Sequence, residues 1–208
     1  MDYPTFDKCL TETRKLAKEN ERIAIHASLE SIFTSGCDVR PRTIVELGVS
    51  KEALANKVLA MVAELNNSDF YSCDLYDFSE ACSYPKWTFH QGDDVKFAAL
   101  YPGPPVDLLF IDTNELYHHV CDEIKAWVPK LSPRATVMFR CTNLQKILFY
   151  ENGRTTGLGW NNDRGVIRAI EDTLHVSFDE TKTFEGSMGG WSIKHWPWGA
   201  GLTVLRRE

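Results

Sequence analysis

Apolar positions along the chain fall first on a helical period and then into short strand-like bursts. Over residues 6–34 two apolar stripes follow one another, Phe6, Leu10, Thr13 and Ala17, then Ile25, Leu29, Ile32 and Phe33, with Asn20 placed to interrupt them. Gly36 and Pro41 punctuate the approach to the next element, so the second helix is expected to close near Gly36. From there, apolar bursts predict strands at 44–47, 69–73, 87–90, 106–111, 135–141, 175–178 and 202–206. Helical spacing predicts helices at 51–65, 115–128 and 163–174 between them. Residues 145–162, rich in Gly and Asn, and 183–201, with three tryptophans among five glycines, follow neither period and are read as loops. Alternating strands and helices predict an α/β fold: a doubly wound, mainly parallel sheet with helices on both faces, preceded by an N-terminal helical extension. A single domain over 1–208 is expected, with 1–40 helical and 41–208 the α/β core.

Composition adds exclusions. The formal charge of -6 leaves no electrostatic footprint for a nucleic-acid duplex or an anionic membrane. No apolar stretch approaches the roughly 20 residues a spanning helix needs. The start, MDYPTFDKCL, lacks the basic and apolar regions of a leader, so a cytoplasmic protein is expected. The six cysteines are scattered with no C-x-x-C pair, which argues for reduced thiols over a disulfide framework or a zinc knuckle.

Chemistry concentrates at the predicted strand ends, the edge at which open α/β sheets bind ligands. TIVELGVS at 43–50 ends an apolar run in Glu46 and Gly48, where backbone can approach a ligand and the following helix offers free amides. The fingerprint G-x-G-x-x-G is absent, which argues against a dinucleotide pyrophosphate. Asp74 ends strand two, where an acid can accept from both ribose hydroxyls; Asp77 competes for that role. Asp93, after strand three, is placed to accept from an adenine amino group or to hold a turn.

Taken together, TIVELGVS, YSCDLYDF, FHQGDD and VDLLFIDTNELYHHVCDEIKAWVPKLSPRATVMF resemble the class I S-adenosylmethionine-dependent methyltransferases. The resemblance runs from about residue 43 to 141, is strongest in the small-molecule enzymes, and implies a Rossmann-like sheet that GLTVLRR closes. It implies S-adenosylmethionine as cofactor, with Glu46, Gly48, Val49 and Ser50 flanking its methionine part. Asp74 is implied to hold the ribose, Asp93 to face the adenine and Asp112 to stand near the sulfonium or the acceptor. The implied reaction is methyl transfer to the oxygen or nitrogen of a small molecule.

Departures from that pattern keep an alternative open: a non-catalytic nucleoside-binding or interaction protein on the same scaffold. The first loop has one glycine, Asp112 is followed by Thr113-Asn114-Glu115 instead of Gly-Asp-His, and strand five ends Arg140-Cys141-Thr142. Asp112, Glu115 and Asn143 make a poor hard-cation site, so no metal is expected there. His118 and His119, early in the helix after strand four, are offered as a general base, against the plainer reading of a solvated helix surface. The tryptophans of 186–201 suit an aromatic wall for a flat or cationic acceptor, or packing over the last strands, or a contact between two copies in a homodimer.

Overall fold

The computed structural model describes residues 5–144, 148–151, 154–158 and 164–208. Helix α1, Phe6–Glu19, is started by Thr5, whose hydroxyl accepts the Lys8 amide, and stops at Asn20 as expected. A 3-10 turn at Ala24–Ser28 leads into α2, Leu29–Val39. Gly36 does not end this helix. A Cβ there would lie 3.1 Å from Val62 Cγ2, so the glycine serves close packing, and Arg40, at φ 51°, supplies the left-handed cap.

The core elements are β1 (Thr43–Leu47), α3 (Leu54–Asn66), β2 (Asp69–Asp74), β3 (Trp87–Gln91), α4 (Asp94–Leu100), β4 (Val106–Ile111), α5 (Tyr117–Trp127) and β5 (Leu131–Arg140). After them come β6 (Leu148–Glu151), β7 (Arg154–Leu158), α6 (Gly165–Leu174), β8 (Phe184–Met188), β9 (Trp191–Trp196) and β10 (Leu202–Arg207). Eight strands form one sheet in the order β3-β2-β1-β4-β5-β10-β9-β8. The pairings among β3, β2, β1, β4 and β5 are parallel, and β10, β9 and β8 pair antiparallel to their neighbours. The doubly wound, mainly parallel sheet read from the sequence is therefore present.

Strand alternation divides the apolar side chains between two cores. Val45, Leu47, Leu109 and Ile111 join the core that includes Phe97, Ile124, Trp127 and Ile170 of α4, α5 and α6. Ile44, Leu108 and Phe110 join the one that includes Phe33 of α2 and Val58 and Val62 of α3. The N-terminal extension thus covers one face of the sheet rather than standing apart from it.

Four expectations need correction. Helix α3 begins at Leu54, three residues later than predicted, because Ala53 sits in the left-handed region at φ 50° and cannot be its first turn. Residues 175–178 pair with no strand; His175, at φ 56°, caps α6, and β9 takes the place beside β10. The stretch 145–162 includes the antiparallel pair β6–β7, with residues 145–147, 152–153 and 159–163 outside those described. The stretch 183–201 is mostly the β8–β9 hairpin, turned by Gly189 and Gly190 at φ 62° and 80°. Trp191 is buried, Trp196 packs against a core, and Trp198 is 53% exposed in the turn before β10. All six cysteines are free, and among the described residues no helix is long and apolar enough to cross a membrane.

Candidate cofactor pocket

The carboxyl ends of β1, β2 and β4 open onto a cavity of about 590 Å³, within the usual range of small-molecule sites. Gly48 sets its floor. The residue adopts φ 88°, and a Cβ on it would stand 2.2 Å from the Asp112 carbonyl oxygen, so only glycine lets the β1 and β4 ends lie this close. The late start of α3 leaves Val49, Ser50 and Lys51 as an open turn along the cavity.

Asp74 closes that turn from β2. Its Oδ2 accepts the Val49 amide at 2.7 Å and its Oδ1 the Tyr76 amide at 2.9 Å, which fixes the carboxylate at the cavity wall. Asp77, the sequence competitor, lies outside the lining, where its Oδ1 accepts the Ser79 amide at 2.9 Å and that bond holds its carboxyl below the ordinary range. Leu75, Tyr76 and Phe78 add apolar surface, Leu75 and Tyr76 being largely exposed.

Asp93 caps α4 by accepting the Lys96 amide at 2.8 Å and also lines the cavity, so the turn reading and the pocket reading hold together. Beside it, Asp94 Oδ2 lies 3.1 Å from His119 Nε2. That contact pushes His119 up to about 9 against the opposing effect of burial. Glu123, four residues further along α5, accepts Thr113 Oγ1 at 2.6 Å and is pushed up to about 8, by burial first and by Asp94 second. The sequence reading did not single out Asp94 or Glu123, and it noted Thr113 only as a departure. The spacing of His119 and Glu123, four apart on one helix face, was the available signal.

Asp112 ends β4 at the opposite side. Burial raises its carboxyl and Arg140 offsets this from 3.5 Å. Arg140 is itself buried and donates Nη1 to Ser28 Oγ at 3.2 Å, tying the N-terminal extension to the pocket; sequence reading had noted Arg140 only as a departure. The turn before β10 comes to the same side, since the Asn143 amide donates to the Ala200 carbonyl at 2.8 Å.

Of the predicted site residues, Gly48, Val49, Ser50, Asp74, Asp93, Asp112 and His119 line one cavity. Glu46 and His118 are outside its lining. The Glu46 side chain points toward α3, where its Oε2 accepts Asn56 Nδ2 and Ser72 Oγ, both at 2.6 Å, and burial pushes it up to about 8. His118 is exposed on α5. Tyr117 is a packing residue, bonded to Asp172 at 2.7 Å beneath the Arg168 guanidinium.

The lining carries four aspartates against Lys51 and His119, which favours a cationic ligand over a phosphate-rich one.

Comparison with known proteins finds likenesses in sequence and in fold. The family described as a methyltransferase domain matches residues 45–140, from β1 to the end of β5. The uncharacterized protein y4gI of Sinorhizobium fredii (strain NBRC 101917 / NGR234) is 44% identical over 41 residues, which are 20% of this chain and 4% of that protein. Among solved structures, the SAH-bound methyltransferase PaMTH1 of Podospora anserina is similar over 96% of this chain and 88% of its own, with a TM-score of 0.64 and 12% identity. Cofactor-bound Rv0187 from MTB is similar over 96% and 89%, with a TM-score of 0.60 and 16% identity. The MycE methyltransferase from the mycinamycin biosynthetic pathway, in complex with Mg and SAH, is matched over 86% of this chain and 49% of its own, with a TM-score of 0.55 and 14% identity. The chain spans about half the length of MycE. Residues 45–140 match the family described as a methyltransferase domain, and the chain has the fold of these solved methyltransferases.

Proposed function

We propose that the chain transfers a methyl group from S-adenosylmethionine to an oxygen or nitrogen of a small molecule. The observation that carries this reading is the placement of Asp74, Asp93 and Asp112 around one cavity beside the Gly48–Lys51 turn. Each carboxylate oxygen of Asp74 accepts one backbone amide and keeps lone pairs for ribose hydroxyls. Asp93 and the apolar surface of Leu75, Tyr76 and Phe78 suit the adenine, and the turn suits the methionine part. Asp112 faces the positive sulfonium, or takes a proton from the acceptor. Glu46 acts from beneath, bracing β1 against Asn56 and Ser72.

Transfer from a sulfonium needs the acceptor atom in line with the methyl group, so positioning supplies most of the rate. His119 Nε2 is turned to Asp94 and Glu123, which leaves Asp112 the better placed base. The end of β5 offers Arg140 and Cys141 beside Asp112. That donor set does not fit Mg²⁺, which takes oxygen ligands.

The Arg140–Asp112 pair favours one second reading, in which the cofactor binds and no acceptor reaches Asp112. Incubation with methyl-labelled S-adenosylmethionine and a panel of phenols, catechols and amines separates the two. Labelled product with release of S-adenosylhomocysteine supports transfer. Cofactor binding without product supports the second reading, and neither result leaves both without support.

A further inference from the structure

One group in the pocket wall is left over by the transfer reading. Asp94 opens α4, while His119 and Glu123 stand on one face of α5. One ligand atom from each lies within 4.8 Å of the other two. His119 Nε2 is 3.1 Å from Asp94 Oδ2 and 3.8 Å from Glu123 Oε1.

We propose that Asp94, His119 and Glu123 bind one divalent transition-metal ion of the zinc class. Bonds of about 2.0–2.2 Å in a tetrahedral site set neighbouring ligand atoms about 3.3–3.6 Å apart. The two separations from His119 bracket that range, and all three ligand atoms lie within 4.8 Å of one another. A second, independent observation concerns the oxygens facing no donor: Asp94 Oδ1 and Glu123 Oε2 are buried and receive no hydrogen bond, and the Glu123 side chain is fully buried. Metal binding displaces the protons of its ligands, and two ionised carboxylates with one imidazole in a buried place then carry negative charge that a single ion pair does not balance. A divalent cation balances it. One imidazole nitrogen with carboxylate oxygens suits zinc better than magnesium or calcium.

Supporting contacts resemble those of built metal sites, where outer partners orient the ligands. Thr113 Oγ1 donates to Glu123 Oε1 at 2.6 Å, and Trp127 Nε1 donates to the Asp94 carbonyl at 3.1 Å. Asp94, Thr113 and His119 also line the cavity, so water or a pocket ligand completes the coordination from that side. The ion therefore ties α4 to α5 beside the proposed adenine position.

The test is calorimetric titration of Zn²⁺ into the full-length protein after chelator treatment and dialysis, with Co²⁺ absorbance as a second readout. One equivalent per chain is expected, with a rise in Tm. Affinity should fall at least tenfold in His119→Ala and Glu123→Gln and stay unchanged in His118→Ala, one residue away and exposed. If Glu123→Gln fails to fold, His119→Ala and Asp94→Asn decide the matter, because both side chains lie nearer the cavity surface. Binding well below one equivalent, or equal affinity in all variants, overturns the proposal and leaves a proton-sharing ion pair. Titrating the same zinc-free protein with S-adenosylhomocysteine keeps this outcome distinct from that of the transfer reading.

Discussion

Asp74 and Val49 are joined across the ends of β2 and β1, the carboxylate accepting the amide at 2.7 Å. This single bond fixes the turn after β1 and holds the proposed ribose acceptor in place. Asp74→Ala should therefore weaken S-adenosylhomocysteine binding by about 10- to 150-fold, the loss of about 1.5–3 kcal/mol expected for bonds to a charged acceptor. Isothermal titration of folded protein checks it. Unchanged affinity would move the ribose site away from Asp74.

Gly48→Ala should destabilise the fold by at least about 2 kcal/mol, since the added methyl meets backbone and the residue is held at positive φ. Denaturant unfolding measures this directly. A variant as stable as the wild type would show that the β1 and β4 ends can separate freely.

Glu46 gives a pH signature with a definite sign. Its folded value of about 8 lies above the ordinary carboxylate value of about 4.3, so the folded state holds the proton more tightly than the unfolded chain. The associated stability is fully present below that ordinary value and is lost as pH rises through about 8. Unfolding at pH 5, 7 and 9 should show wild-type stability falling more steeply than that of Glu46→Gln, by on the order of a few kcal/mol across the range. Parallel pH profiles would mean that Glu46 is charged in the fold.

The tryptophans of the C-terminal region should divide by burial. Trp191→Ala removes a buried indole and should cost about 3–5 kcal/mol. Trp198→Ala, at an exposed turn beside the end of β5, should leave stability within about 0.5 kcal/mol. Any effect of Trp198 should instead appear in the KM for the acceptor. A large stability loss in Trp198→Ala would make that side chain a packing residue.

Much of this architecture was legible because parallel strands buried on both faces leave continuous apolar runs. Val106–Ile111 is the clearest, and it was read to the residue. The strand ends followed, and with them Gly48, Asp74, Asp93 and Asp112. The β8–β9 hairpin was passed over although W-S-I-K-H-W alternates and Gly189-Gly190 is a hairpin turn signal, because tryptophan and glycine together were read as loop composition. Helix α4, of seven residues, was too short for its period to register. The resemblance implied that Glu46 flanks the methionine part of the cofactor. Alternation along β1 sends its side chain to the α3 face. Arg140 acts through Asp112, 28 residues away, which spacing along one segment does not reveal.

The most direct test of the proposed cofactor pocket is calorimetric titration of the wild-type chain with S-adenosylmethionine and S-adenosylhomocysteine. The account predicts one site per chain for both ligands, with the heat reduced together in Asp74→Ala and Asp112→Asn. Absence of binding in folded protein, or binding that neither substitution alters, would contradict it.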